Sequence, residues 1–206
     1  IAGKVRISAS DVMAAYFLPP VIARLRAAAP GIEIEIVATN ALSDLRRREA
    51  DIALRHQRPT EPDLIARCIH RSRFSLCATP GYIARMGGLS SPGDLVAADF
   101  IGFDGTDRLM DALNELGLGL TRRNFRLRSE SGLVAWEMVR HGLGIGAMLD
   151  DVAALTPEVT RLPMETRSME IPVWLTTHRE LHTSRRIRLV YDALATIFAP
   201  GAAGRG

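Results

Sequence analysis

Polar side chains gather where short apolar runs end: Ser10 and Asp11 after "KVRISA", Thr39 and Asn40 after "IEIEIVA", Arg55 and His56 after "DIAL". Phe103 and Asp104 follow "FIG", and Ser129 and Ser131 stand where a basic segment gives way to a helical pattern. Met148 in "GIGAML" and Thr177 in "IPVWLTT" complete the candidate set. These residue types suit binding better than reaction. Free N–H groups at the helix starts after Ser10 and Ser131 favour an anion such as a carboxylate. Arg55 offers an opposing charge in a bidentate geometry.

Motifs for catalysis or metal binding do not hold up. "HRELH" puts His178 and His182 four apart, but a zinc-protease helix needs its Glu directly after the first His, and Glu180 comes one place late. "HGLGIG" follows a helical pattern and enters a strand, whereas a dinucleotide fingerprint runs from strand to helix. Gly142 therefore reads as a helix terminator. Asp150 and Asp151 read as helix-start residues rather than an acid/base couple. There is no Gly-x-Ser-x-Gly elbow and no phosphate loop. No catalytic residue, metal or cofactor is expected.

The elements that must position the polar set follow from periodicity. "KVRISAS" alternates with a period of two, a strand, and Ser10 or Asp11 is placed to cap the helix after it. Pro19 and Pro20 should interrupt that helix, and Pro30-Gly31 should stop it. "IEIEIVA" is a half-exposed strand, Ser43–Glu49 a short helix, and "DIAL" an apolar strand. Strand and helix alternating in under sixty residues mark a parallel α/β sheet with crossover connections. Two strands are then expected, "LIARCIH" and "RFSLCAT", before Pro80-Gly81. Beyond lie a strand "FIGF", a helix through "DRLMDALNELGLGL", a basic strand "NFRLRS", a helix over Ser131–His141 and the strand "GIGAML". "IPVWLTT" is a last strand, and "SRRIRLVYDALATIF" a closing helix before a "PGAAGRG" tail read as disordered. The pattern suggests two α/β lobes exchanging extended segments near Arg73–Thr79 and Ile171–His178, with a ligand at the carboxyl ends of the parallel strands.

Composition bounds the reading. The chain has 206 residues, 47% of them hydrophobic and 24% charged, the balance of a globular protein with a real core. No apolar run approaches the ~18 residues a membrane span needs, and no signal-peptide pattern opens the chain. Ile1 in place of an initiator Met suggests a fragment. Cys68 and Cys77 sit in strand-like runs and read as small buried hydrophobes in a reducing cytoplasm. A pI near 9.3 and three arginines together, Arg46 to Arg48, raise the question of nucleic acid. In a helix those side chains would fan out over roughly 200° of surface, beside Asp44 and Glu49 and without aromatic residues for bases. A solvated helix face is the better account.

Several stretches, in order, resemble one family. "GKVRISAS", "LPPVIARLRAAAPGIEIEI", "DLRRREADIALR", "CATPGYIAR", "SSPGDL" before "FIGF", "MVRHGLGIGAML" and "VWLTTHRE" are similar to the effector-binding domain of LysR-type transcriptional regulators. The resemblance implies two Rossmann-like lobes joined by crossover strands, an α/β fold of the type 2 periplasmic-binding-protein kind. Residues 1–73 and 176–206 would form lobe I, and 74–175 lobe II. It also implies a small-molecule effector in the inter-lobe cleft, a homodimer or tetramer through lobe I, and a cytoplasmic location. DNA would be bound only through an N-terminal winged helix-turn-helix domain that this chain lacks. The helical "DRLMDALNELGLGL" departs from members that have strands there. An exported solute-binding protein of a transporter, on the same fold, is the alternative.

Overall fold

The computed structural model describes residues 1–40, 50–103, 106–163 and 170–199. The expected helix at Ser43–Glu49 with its arginine triplet, the candidate Asp104 and the "PGAAGRG" tail lie outside them. The elements are β1 (Gly3–Ala9), α1 (Asp11–Tyr16), α2 (Leu18–Ala28), β2 (Ile32–Ala38), β3 (Ile52–Arg55) and β4 (Leu64–Ala78). There follow α3 (Pro80–Arg85), α4 (Pro92–Leu95), β5 (Ile101–Phe103), α5 (Arg108–Glu115), β6 (Leu127–Ser129) and α6 (Gly132–Arg140). The chain continues with β7 (Gly146–Leu149), α7 (Asp150–Ala153), β8 (Thr160–Arg161), β9 (Glu170–His178) and α8 (Arg185–Ala195).

The chain divides into two compact units. Unit 1 is Ile1–Arg71 with the chain from Pro172 onward, and unit 2 is Ser72–Ile171. β4 and β9 each run from one unit into the other.

In unit 1, β1 pairs in parallel with β2 and with β3, and β3 pairs antiparallel with β9. Alternation decides which residues form the core. Val5, Ile7, Ile52, Leu54, Val173 and Leu175 point to one side, where Met13, Leu18, Val21, Ile187, Val190 and Leu194 of the helices cover them. α1 and α2 restart at Phe17 rather than at the prolines themselves, so Pro19 and Pro20 occupy the first turn of α2. A missing N–H costs nothing there, because first-turn N–H groups have no partner within the helix.

In unit 2, β4 pairs antiparallel with β7 and β8, β5 pairs in parallel with β6, and Phe100 forms a parallel bridge with Ile145. A second core gathers Leu76, Tyr82, Leu95, Phe100, Leu113, Phe125 and Ile145. α5 is the helix expected from the leucine spacing, and it buries Leu113. Gly142 takes a φ of +70° after α6, the left-handed geometry that ends a helix.

Two expectations are corrected. "LIARCIH" and "RFSLCAT" form one continuous strand, β4, of 15 residues. Arg71, Ser72 and Arg73 carry the alternation straight through, with Ser72 buried between two exposed arginines and no Gly or Pro to turn the chain. "NFRLRS" is a strand only at its end, because Arg122–Asn124 forms a 3-10 turn. There the Asn124 amide accepts from Thr121 N (2.9 Å) and donates to the Val96 and Ala98 carbonyls (2.8 and 2.9 Å), contacts an extended chain would not make together.

Candidate functional site

The parallel registers bring the carboxyl ends of β1, β2 and β3 level, with Ala9 opposite both Ala38 and Leu54. The residues leaving those strands therefore emerge along one edge of the sheet. Thr39 N donates to the Ala9 carbonyl (2.9 Å) and Asp11 N to Asn40 Oδ1 (3.3 Å), which ties the β2 exit to the start of α1. Asp11 Oδ1 accepts from Val12 N (2.7 Å). Ser10 occupies the cap position, and its carbonyl accepts from Ala14 N (2.8 Å). The expected cap bond from its side chain is not made. Its hydroxyl is instead buried without a hydrogen-bond partner among the described residues.

Arg55 ends β3 and is only 9% exposed. Its Nη1 donates to the Leu54 carbonyl (2.8 Å) and its Nη2 to Ser8 Oγ (2.6 Å). Both terminal nitrogens thus already donate within the sheet, so a bidentate carboxylate would have to compete with these bonds. His56 Nδ1 donates to the Pro172 carbonyl (3.2 Å), which selects the tautomer carrying its proton on Nδ1. Burial holds His56 below the usual imidazole range, and the neighbouring Arg55 charge acts in the same direction, against the bond to Pro172.

Thr177 is not brought to this edge. It stands opposite Ile52, at the amino end of β3, and its hydroxyl donates to the Asp51 carbonyl (2.8 Å). The residue opposite Arg55 is Trp174. Arg58 lies over the Trp174 ring at 5.3 Å, and the buried indole N–H has no partner among the described residues. Neither Trp174 nor Ser8 is singled out by sequence pattern. Only the registers of β3 against β9 and against β1, which leave no local signature, put Trp174 and Ser8 beside Arg55.

In unit 2, Phe103 stands opposite Ser129, and Ser129 Oγ accepts from Ser131 N (3.1 Å). Ser131 caps α6 by accepting from Val134 N (3.3 Å). Counting three residues on from the Phe100–Ile145 bridge brings Phe103 and Met148 to the same level. The exposed Phe103 ring, the two serines and the buried Met148 thus share the carboxyl ends of β5, β6 and β7.

Among the described residues no three His, Cys, Asp or Glu side chains are grouped to hold a metal ion, and no helix is long and apolar enough to cross a membrane. The two histidines of "HRELH" have separate surroundings. His178 Nδ1 lies 3.3 Å from Asp63, and the His182 ring meets Tyr191 edge-on. Cys77 is buried, which pushes its thiol up to about 12.

Residues 1–199 match the model of the LysR substrate binding domain family. The chain is 25% identical over 201 residues to the Mau operon transcriptional activator of Paracoccus denitrificans, covering 97% of this chain and 66% of that protein. It is 30% identical over 101 residues to the HTH-type transcriptional regulator CrgA of Neisseria meningitidis serogroup C (strain 8013), covering 49% of this chain and 34% of that one. The chain thus spans less than two thirds of either relative. The solved regulatory domain of CrgA superposes with a TM-score of 0.82 at 22% identity, covering 95% of this chain and 98% of that one. The regulatory domain of Synechocystis PCC6803 CcmR, solved in complex with 2-PG, superposes with a TM-score of 0.75 at 19% identity, covering 96% and 98%.

Proposed function

The chain belongs to the LysR substrate-binding domain family, and on that premise we propose that it is the ligand-sensing part of a transcriptional regulator, responding to a small anionic effector. The observation that carries the anionic reading is the Ser10 hydroxyl, buried without a partner among the described residues where the ends of β1 and β2 meet the first turn of α1. A buried hydroxyl left unpaired is costly, and an incoming acceptor relieves that cost. Asp11, Thr39 and Asn40 would frame the ligand. Arg55 and His56 would border it, with Arg55 acting through its positive potential while its nitrogens stay bonded to Ser8 and Leu54. The proposal extends to Phe103, Asp104, Ser129, Ser131 and Met148 as effector contacts contributed by unit 2. It also holds that the protein is cytoplasmic and without turnover, that it assembles as a dimer or tetramer through unit 1, and that DNA is contacted by chain outside these 206 residues.

An effector works by binding one of two conformational states better than the other, so a thermal-shift screen reads its binding directly. Small carboxylates, amino acids and aromatic acids form the panel. A carboxylate that raises the melting temperature of the wild type should raise that of Ser10→Ala far less. The unliganded variant should melt at the same temperature or higher, since it loses an unsatisfied polar group. An equal ligand shift in Ser10→Ala would sink the assignment, and so would stabilisation only by uncharged members of the panel.

A further inference from the structure

Arg55 donates to Leu54 and Ser8 within the sheet, so an anion at the carboxyl end of β3 needs another direct partner. Three residues on, in the segment RHQR over 55–58, stands Arg58. It is exposed and has no hydrogen bond or ion pair among the described residues, which leaves its N–H donors open. Carboxylates of the same loop are engaged elsewhere. Glu61 accepts from Thr60 N (3.0 Å), and Asp63 lies 3.3 Å from His178. What meets Arg58 is the Trp174 ring, whose centroid is 5.3 Å from the guanidinium carbon. A ring contact of this kind holds the charge in place without neutralising it.

Trp174 brings a second donor. Its indole N–H is buried without a partner among the described residues, and so is the Ser10 hydroxyl. The registers bring these two orphan donors to one level of unit 1. Ala9 pairs with Leu54, and Leu54 with Leu175, so Ser10, just past the end of β1, is level with Arg55 of β3 and Trp174 of β9. At the main chain Ser10 and Trp174 are two strand spacings apart, about 10 Å, with Arg55 between them. Unsatisfied donors at both ends of such a row call for a ligand with an acceptor at each end. We propose that Arg58 and Trp174 form a second anion-binding point and that the effector is a compact diacid. The inference rests on the effector site proposed above, and it assigns one acidic group to Ser10 and the other to the Arg58 fork and the Trp174 indole N–H. Hydrogen bonds of about 2.9 Å at either end leave about 4 Å between the acceptors, which suits a diacid of roughly four or five carbons.

The test uses the whole chain with malonate, succinate, glutarate and adipate, each beside its monoamide, which keeps the length and one carboxylate. Isothermal titration calorimetry gives the affinities. At least one diacid should bind about tenfold or more tightly than its monoamide, because a carboxylate pairs with an arginine fork far better than an amide does. Arg58→Gln and Trp174→Phe should each bring that ratio towards one, whereas Ser10→Ala should weaken both members of the pair. The circular-dichroism melt of Arg58→Gln should match that of the wild type, since Arg58 is exposed. In the unsubstituted chain the indole N–H signal of Trp174 should move downfield in proton–nitrogen NMR spectra and saturate at the calorimetric affinity. The chain has two tryptophans, so replacing either Trp136 or Trp174 by Phe identifies that signal. Equal affinity for every diacid and its monoamide overturns the second anion-binding point, and leaves the Ser10 site standing where Ser10→Ala still weakens both. A ratio unchanged in Arg58→Gln, or an indole signal that stays in place at saturation, overturns the assignment to these residues. Absence of binding by all the diacids overturns the diacid, and the thermal-shift comparison of wild type with Ser10→Ala then decides separately whether the site itself falls.

Discussion

Arg55 offers the sharpest test of how unit 1 is built. Its guanidinium is buried and donates to the Leu54 carbonyl and the Ser8 hydroxyl, while Ser8 itself is fully buried. A hydrogen bond from a charged donor contributes about 1.5–3 kcal/mol, and an acceptor left dry adds its own desolvation cost. Arg55→Ala removes both bonds and the packing of the aliphatic stem, so a loss of about 3–5 kcal/mol is expected. For a chain of this size that lowers the melting temperature by roughly 6–20 °C. Arg55→Lys keeps the charge but cannot span two acceptors from a planar fork, and should fall between. Ser8→Ala alone should cost about 1–2 kcal/mol. The double variant should cost about 1–2 kcal/mol less than the sum of the singles, because the two groups share one bond. Urea titrations in a Trp136→Phe background make Trp174, which stands opposite Arg55, the fluorescent reporter of unit 1. Strict additivity of the two substitutions would refute the argument, and so would a melting temperature for Arg55→Ala within error of the wild type.

Two further outcomes follow from titrating groups. Because burial pushes the Cys77 thiol up to about 12, it carries almost no thiolate at pH 8, so iodoacetamide should label Cys68 alone in the native chain and both cysteines in guanidinium; rapid native labelling of Cys77 overturns this. His56 is held below the ordinary 6.5 in the fold, so the unfolded chain binds the extra proton first and stability falls as the pH drops below 6.5; His56→Gln should flatten that part of the melting-temperature profile, and an unchanged slope counts against it.

What was legible in the sequence is what local periodicity controls. Three parallel strands, the Pro19-Pro20 restart, the Gly142 helix end and the leucine-spaced α5 all announce themselves within a dozen residues. From local sequence β4 reads as two strands, because a run of Arg, Ser and Arg looks like a polar break. Period two, with Ser72 inward, was the better guide. The polar residues at the strand ends were legible for the same reason, since parallel strands of matched register must release Ser10, Thr39 and Arg55 along one edge. Pairings between distant segments were not legible. Thr177 and Trp174 lie three residues apart in one strand, and only the antiparallel register of β9 against β3 sets Trp174, not Thr177, beside Arg55.

The parallel pairing of β3 with β1 also changes what Arg55 can do for a ligand. Read from sequence, an arginine at a strand end is a free fork waiting for a carboxylate. In the fold it clamps β3 to β1 through Ser8, and Ser10 and Arg55 each follow directly on the paired residues Ala9 and Leu54. A ligand carboxylate that accepted from Ser10 would feel the Arg55 charge without breaking the clamp, whereas one that took the fork directly would have to break the bond to Ser8. The first arrangement costs no existing bond, and the second forfeits a short charge-assisted one. On the proposed site, effector binding and the integrity of the sheet would therefore be separable at Ser10 and inseparable at Arg55, so Ser10→Ala would isolate binding while Arg55→Ala must first be read as a change in stability.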